Sequence, residues 1–314
     1  MHINQDMLGL PDGLQFGAPP SSFVPLPEAA PTSSFSTIYA FGDSLSDAGN
    51  DYKLSLGVLP TSYIYSDGRF SNGNVWVQDL AQLLGMHPIK ASLNGGTDFA
   101  YGGAETGQET LHTVNPLDLP SQFAQFLVDD PHPLANALYT LSIGANDVID
   151  AISAYASNPS GALTDITQAV GNERSFIQRL ASDGAKNFVI LNVPDLGKTP
   201  AEAGDAATAS KLSALYDSDL QSALQGLVAK DHLSIHLVDA YSLIDEAVAD
   251  PSKYGLKNVT TPVWTGNYEN PFSGHLNAVG SAQNSYLFFD TLHPTATGHL
   301  AVAHDAFASL SSIV

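Results

Sequence analysis

The chain has 314 residues, 44% of them hydrophobic, which is enough to bury a large core and within reach of one α/β domain. Acidic side chains outnumber basic ones 32 to 11, a formal charge of -21 that repels phosphate backbones and anionic membrane surfaces, so nucleic acid is excluded as a natural partner and neutral or zwitterionic substrates are favoured. Cysteine is absent, which removes disulfides, thiolate metal sites and cysteine nucleophiles together.

The first residues, MHINQDMLGLPDGLQFG, lack a basic stretch followed by a continuous apolar one. Either an export signal has been removed, which favours a secreted or periplasmic protein, or export does not use one. No stretch approaches the roughly 18 to 20 apolar residues of a spanning helix, so stable membrane insertion is not expected. Residues 1–36 are rich in Pro, Ser and Ala and read as an extended arm or linker; a domain over 37–314 follows. Residues 37–41 (TIYAF) are β-branched and aromatic and stop at Gly42, as a buried strand entering a turn does. A helical pattern covers about 74–84, a second strand 139–143, and a helix runs from about 163 to 182, where Leu163, Ile166, Val170, Ile177 and Leu180 recur mostly at three- and four-residue steps. A third strand at 188–193, a long helix over about 208–229, a fourth strand at 234–238 and a last helix from near Pro294 complete the alternation. Strands separated by helices imply right-handed crossovers and a parallel sheet covered on both faces. The active crevice of such a sheet lies at the carboxyl ends of its strands, where Ser44 and Asn146 fall.

Four short segments carry chemistry. FGDSLSDAGN (41–50) is a strand end running into a glycine-bracketed turn, with the Ser44 hydroxyl at the sheet's rim. DTLHP (290–294) places a carboxylate and an imidazole two residues apart on one loop. A serine hydroxyl needs a base to take its proton, and an imidazole serves best when a carboxylate fixes its tautomer. SIGAND (142–147) and FAYGGA (99–104) offer glycine backbone and an Asn amide, the donors that a tetrahedral oxyanion requires. Taken singly, each segment is also what a turn or a helix cap looks like.

In this order and at these strand ends, the four together resemble the GDSL family of the SGNH hydrolase superfamily: 41–50 is similar to its first block, 99–104 to its second, 143–147 to its third and 290–293 to its last. Residues 67–73 (DGRFSNG) and 191–197 (LNVPDLG) look like recurring segments of its larger members, and the resemblance spans about residue 37 to the end. It implies a three-layer α/β/α sandwich with a mostly parallel, flavodoxin-like sheet, and a serine esterase or lipase that needs no metal or organic cofactor. The roles it implies are Ser44 as nucleophile, His293 as base and Asp290 as its orienting acid. The oxyanion hole would be the Ser44 N–H, a block-two glycine, Gly103 with Gly102 as the other option, and Asn146. That block commonly opens with Asn, whereas this chain has Asp98; the catalytic glycine is intact, and the departure bears on how the loop is held.

Other candidates point to packing. His232 and His236 are four apart, but SIHLV reads as a strand, on which four-apart residues share a face without converging on one ion. His299 and His304 fall on the last helix, where solvated or packed histidines are the rule, and Arg69 suits a structural ion pair better than the mouth of a site. The stretch 254–289 holds Trp264, Tyr268, Phe272, Tyr286, Phe288 and Phe289, either an apolar acyl pocket beside His293 or plain core. The expected substrate is a small-molecule or lipid ester. An acyltransferase with an alcohol acceptor and a non-catalytic module that keeps the fold are the two other classes; acyl length, alcohol and oligomeric state are not fixed by the sequence.

Overall fold

The computed structural model describes residues 34–107, 117–130 and 132–311, so the arm expected over 1–36 lies outside the described residues but for 34–36. Four strands, β1 (Ile38–Gly42), β2 (Leu138–Ser142), β3 (Asn187–Leu191) and β4 (Ser234–Val238), form one sheet in the order β1-β2-β3-β4. All three pairings are parallel and in step, from the row Ile38, Leu138, Asn187, Ser234 to the row Gly42, Ser142, Leu191, Val238. The first three strands are short and almost wholly buried because helices cover both faces.

The helices are α1 (Asn50–Leu54), α2 (Trp76–Leu83), α3 (Leu119–Asp129), α4 (Ala145–Tyr155), α5 (Pro159–Ser182), α6 (Ala206–Asp231), α7 (Ala240–Ala249) and α8 (Ala296–Ser311). Side chains alternate along a strand, so odd and even positions go to different layers. Tyr39, Phe41, Tyr139, Leu141, Phe188 and Ile190 meet α3, α4, α5 and α6 on one face. Ile38, Ala40, Leu138, Val189, Leu191 and Val238 meet α2 and α8 on the other. Tyr39 stacks on Tyr139 at 5.5 Å and Tyr139 meets Phe188 at 5.6 Å, so large rings fill the first layer across three strands; each buried large side chain contributes on the order of 1.5–3 kcal/mol.

The far edge of β1 carries a reduced fifth strand. Ala40 bridges Asp98 in parallel, with Ala40 N–H donating to Thr97 O and Phe99 N–H to Ala40 O. Counted in, this segment gives the order 2-1-3-4-5, the flavodoxin-like arrangement. It stays a bridge because Gly95-Gly96 and Gly102-Gly103 bracket it.

All four expected strands and the helices near 74–84, 163–182, 208–229 and 294 are present, with shifted ends. The third strand stops at Leu191, not 193, because Asn192 turns aside and accepts the Ala240 N–H at 2.6 Å, fixing the start of α7. Helix α5 begins at Pro159, ahead of its apolar repeat, because Asn158 caps it through Gly161 N–H at 3.1 Å.

Candidate active site

Strand β1 ends in a backbone shape that only glycine provides. Gly42 has φ 141°, and a Cβ there would stand 2.0 Å from Ser142 O on β2. Buried Gln122 of α3 clamps it, accepting the Gly42 N–H at 2.9 Å and donating to Gly42 O at 2.7 Å. The turn beyond is held by its own polar residues: Asp43 Oδ1 accepts Leu45 N–H, and the carboxylate of Asp47 accepts the N–H groups of Gly49, Asn50 and Asp51 at the head of α1. The turn-forming reading is thus right for Asp43 and Asp47. It leaves the Ser44 side chain uncommitted to the turn.

The Ser44 hydroxyl meets a residue 249 positions away: Oγ lies 2.8 Å from His293 Nε2. His293 Nδ1 lies 2.7 Å from Asp290 Oδ2. A carboxylate only accepts, so Nδ1 carries the ring proton and Nε2 is left to accept the serine proton. Asp290 Oδ1 takes the N–H groups of Leu292 and His293, so this loop is wound around its own carboxylate. Burial pushes the Asp290 pKa up, but the facing His293 and the accepted hydrogen bonds outweigh it and hold the group below its ordinary value. Ser44, Asp290 and His293 are all buried.

Four residues support this loop, three of them in the DGRFSNG segment and one, Tyr65, with no signal in the residue pattern. Tyr65, fully buried, donates its hydroxyl to Asp290 Oδ2 at 2.7 Å. Ser71 Oγ donates to Pro294 O at 2.9 Å, Asn72 Oδ1 accepts Ala296 N–H at 2.8 Å, and the Phe70 ring lies 5.1 Å from the imidazole. The segment DGRFSNG is therefore a cradle for the histidine loop. Arg69 in it is structural, with Nε donating to Gln78 and Nη1 3.6 Å from Asp67.

The other two segments meet beside the serine. Tyr101 N–H donates to Gly42 O at 3.2 Å, which carries the 101–104 turn to the end of β1. Asn146, in the first turn of α4, donates Nδ2 to Ala104 O at 2.8 Å. Gly103 has φ 72° with open space where a Cβ would stand, whereas Gly102 packs against Asp51 and Phe70 and turns its N–H to the carboxylates of Asp47 and Asp51. Asp98 holds this loop by accepting twice, from Ala48 N–H at 2.6 Å and Ala100 N–H at 3.0 Å, so a carboxylate suffices where the family commonly has Asn. Burial and the neighbouring Asp47 raise the Asp98 pKa well above the ordinary carboxylate range.

The remaining candidates disperse. His232 ends α6 at φ 52°, and His236 on β4 donates Nδ1–H to Ser309 O at 3.0 Å with its other nitrogen 3.1 Å from Ser234 Oγ. Among the described residues, no group of three or more His, Cys, Asp and Glu is placed to hold a metal, and no helix is long and apolar enough to cross a membrane. His299 is packed, not solvated: burial pushes its pKa down to about 3. His304 is half-buried, its pKa also lowered by desolvation.

The aromatic stretch divides. Trp264 and Phe289 pack with Ile64 and Tyr65 behind Asp290, while Phe288 lines a crevice that Ser44, Asn146 and His293 also line.

A parallel α/β/α sheet with a serine, a histidine and a carboxylate in hydrogen-bonded sequence at its carboxyl edge is the equipment of a serine ester hydrolase. Residues 38–306 match the GDSL-like Lipase/Acylhydrolase family, and the chain belongs to it; it is a carboxylic ester hydrolase. Its relatives include the Phosphatidylcholine-sterol acyltransferase of Aeromonas hydrophila, 26% identical over 88% of this chain and 91% of that protein. A GDSL esterase/lipase of Arabidopsis thaliana is 25% identical over 91% of this chain and 92% of its own length. Among solved structures, LAE5, an alpha/beta hydrolase enzyme from the metagenome of Lake Arreo, Spain, is similar with a TM-score of 0.48 and 14% identity, over 90% of this chain and 99% of that one.

Proposed function

We propose that Ser44 is the nucleophile of this hydrolase, His293 its general base and acid, and Asp290 the group that orients the imidazole. The observation that carries this is the unbroken chain from Ser44 Oγ through His293 to Asp290 Oδ2, with contacts of 2.8 and 2.7 Å. In the first step Oγ attacks the ester carbonyl as its proton passes to Nε2, and collapse of the tetrahedral adduct expels the alcohol, which takes that proton. In the second, water gives a proton to Nε2 and attacks the acyl-enzyme, releasing the acid and restoring the hydroxyl. The N–H groups of Ser44 and Gly103 and the amide of Asn146 receive the oxyanion. Gly103 is favoured over Gly102 because the Gly102 N–H is already turned to two carboxylates. A chain of charge -21 suits neutral or zwitterionic esters. Ser44→Ala is expected to abolish hydrolysis of p-nitrophenyl butyrate without lowering the unfolding temperature; retained turnover overturns the assignment.

A second reading is favoured by the similarity to an acyltransferase: an alcohol replaces water at the second step. Product analysis with and without an added acceptor alcohol separates transfer from hydrolysis.

A further inference from the structure

Position 173 falls on the apolar stripe of α5, between Ala169, Val170 and Phe176, Ile177, yet it holds a carboxyl. Glu173 is fully buried, as is Tyr216 on the buried stripe of α6, and the tyrosine hydroxyl donates to Glu173 Oε2 at 2.6 Å. The other carboxyl oxygen, Oε1, has no hydrogen-bond partner among the described residues. A leucine at 173 would pack without that desolvation cost, so core packing does not account for the acid. The hydroxyl end of Tyr216 meets the start of α4. A Cβ on Gly144 would stand 2.3 Å from Tyr216 Oη, and Gly144, at φ 99°, is the cap of that helix, two residues before Asn146. We propose that Tyr216 and Glu173 are positioning residues, a buried pair from α6 and α5 that sets the turn on which Asn146 offers its amide to the oxyanion.

The turn is tied sideways by its own residues: Asn146 Nδ2 donates to Ala104 O at 2.8 Å, and Asp147 accepts the Thr106 N–H at 3.1 Å and the Thr106 hydroxyl at 2.7 Å. These bonds join it to the segment that carries Gly103, so the two oxyanion donors are fixed relative to each other. They leave the pair of donors free to shift together. Tyr216 belongs to the core cluster, so its hydroxyl limits the turn on the inner side, and Glu173 holds the hydroxyl there. Asp147, next to Asn146, raises the pKa of both Glu173 and Tyr216, which places the pair close behind the donor. Burial first, and the facing Glu173 next, raise the Tyr216 hydroxyl well above its ordinary value, so it stays a donor. Oε2 accepts that proton whether the acid is charged or neutral.

The inference rests on Asn146 being an oxyanion donor. The test is a double-mutant cycle on p-nitrophenyl butyrate. Tyr216→Phe keeps the ring and its packing but removes the hydroxyl that meets Gly144, and a misplaced donor loses rate rather than ground-state affinity. Its kcat is expected to fall roughly tenfold to a hundredfold, with KM within about twofold of the parent. Glu173→Gln keeps an oxygen to accept from Tyr216 and should hold kcat near the parent, whereas Glu173→Leu should match Tyr216→Phe. In the Asn146→Ala background, where no amide is left to place, Tyr216→Phe should change kcat by less than about twofold. An unaltered kcat in folded Tyr216→Phe overturns the proposal. So does a loss of the same size in both backgrounds, which marks a general structural effect. Should Tyr216→Phe fail to fold, Glu173→Leu takes its place in the cycle with the same outcomes. Parental kcat in Asn146→Ala would instead remove the donor itself, which separates the two failures.

Discussion

Replacing Asp290 by Asn tests the proposed mechanism at its least obvious point. The carboxylate has two differently used oxygens: Oδ1 accepts the N–H groups of Leu292 and His293, and Oδ2 accepts from His293 Nδ1 and Tyr65. An Asn side chain has one acceptor oxygen, and the two backbone N–H groups claim it. The amide NH₂ then occupies the Oδ2 position and faces Nδ1. The Tyr65 hydroxyl can rotate and accept, but the imidazole must give up its Nδ1 proton and carry it on Nε2, so the nitrogen facing Ser44 can no longer accept a proton. With geometry kept and tautomer reversed, kcat should fall by about 10⁴-fold, near 5 kcal/mol of barrier at about 1.36 kcal/mol per tenfold. The fold should lose only about 1–2 kcal/mol with one charge-assisted hydrogen bond weakened. The assay is kcat on p-nitrophenyl butyrate beside a thermal unfolding curve. Asp290→Ala lets Nδ1 keep its proton, so it should retain more activity than the isosteric Asn. The opposite order, or Asp290→Asn within tenfold of the parent, refutes the tautomer argument.

Asn146→Ala should lower kcat by about 10²–10³-fold with KM little changed, because the amide acts on the oxyanion and not on the resting ester; steady-state kinetics checks it. Gly42→Ala should cost at least about 3 kcal/mol in urea unfolding, since the new Cβ would sit 2.0 Å from Ser142 O. Burial raises the carboxyls of Glu173 and Asp217 to about 8 and that of Asp43 to about 7. The stability they carry is therefore complete below the unfolded values, near pH 4, and is lost as pH rises through 7 to 8, where the native state must release protons. His299, lowered to about 3, acts the other way and only below its ordinary 6.5. The unfolding temperature should thus rise from about pH 9 to about pH 6. Glu173→Gln should flatten that rise, because Glu173 Oε1 has no partner among the described residues and the amide mimics the protonated acid.

The motif residues were legible because each needs a particular side chain at a strand end, and the strands because runs such as TIYAF and SIHLV are apolar and end at turn residues. Helices α1, α3, α4 and α7 were not foreseen. The first turn of α4 holds Asn146, read there as part of a turn, and α7 has only ten residues, fixed by Asn192 reaching across from the next strand over. Tyr65 could not be picked out: its role comes from Asp290, 225 residues further along, and nothing local distinguishes it from the tyrosines packed in the core. The aromatic stretch was legible as buried but not in its division, because Phe288 and Phe289 point to opposite sides of one short segment, one to the crevice and one behind Asp290.

The contacts that complete the catalytic loop span 223 to 249 residues: Ser71 to Pro294, Asn72 to Ala296, Tyr65 to Asp290, Ser44 to His293. Contacts between such distant points are the costliest in chain entropy and form late. A chain that stops short of Asp290 holds the strands β1 to β4 and Ser44, yet it has nothing to draw the proton away. On the proposed mechanism, ester cleavage therefore waits until the 290–296 segment has docked against residues 44–72, whatever part of the sheet has already formed.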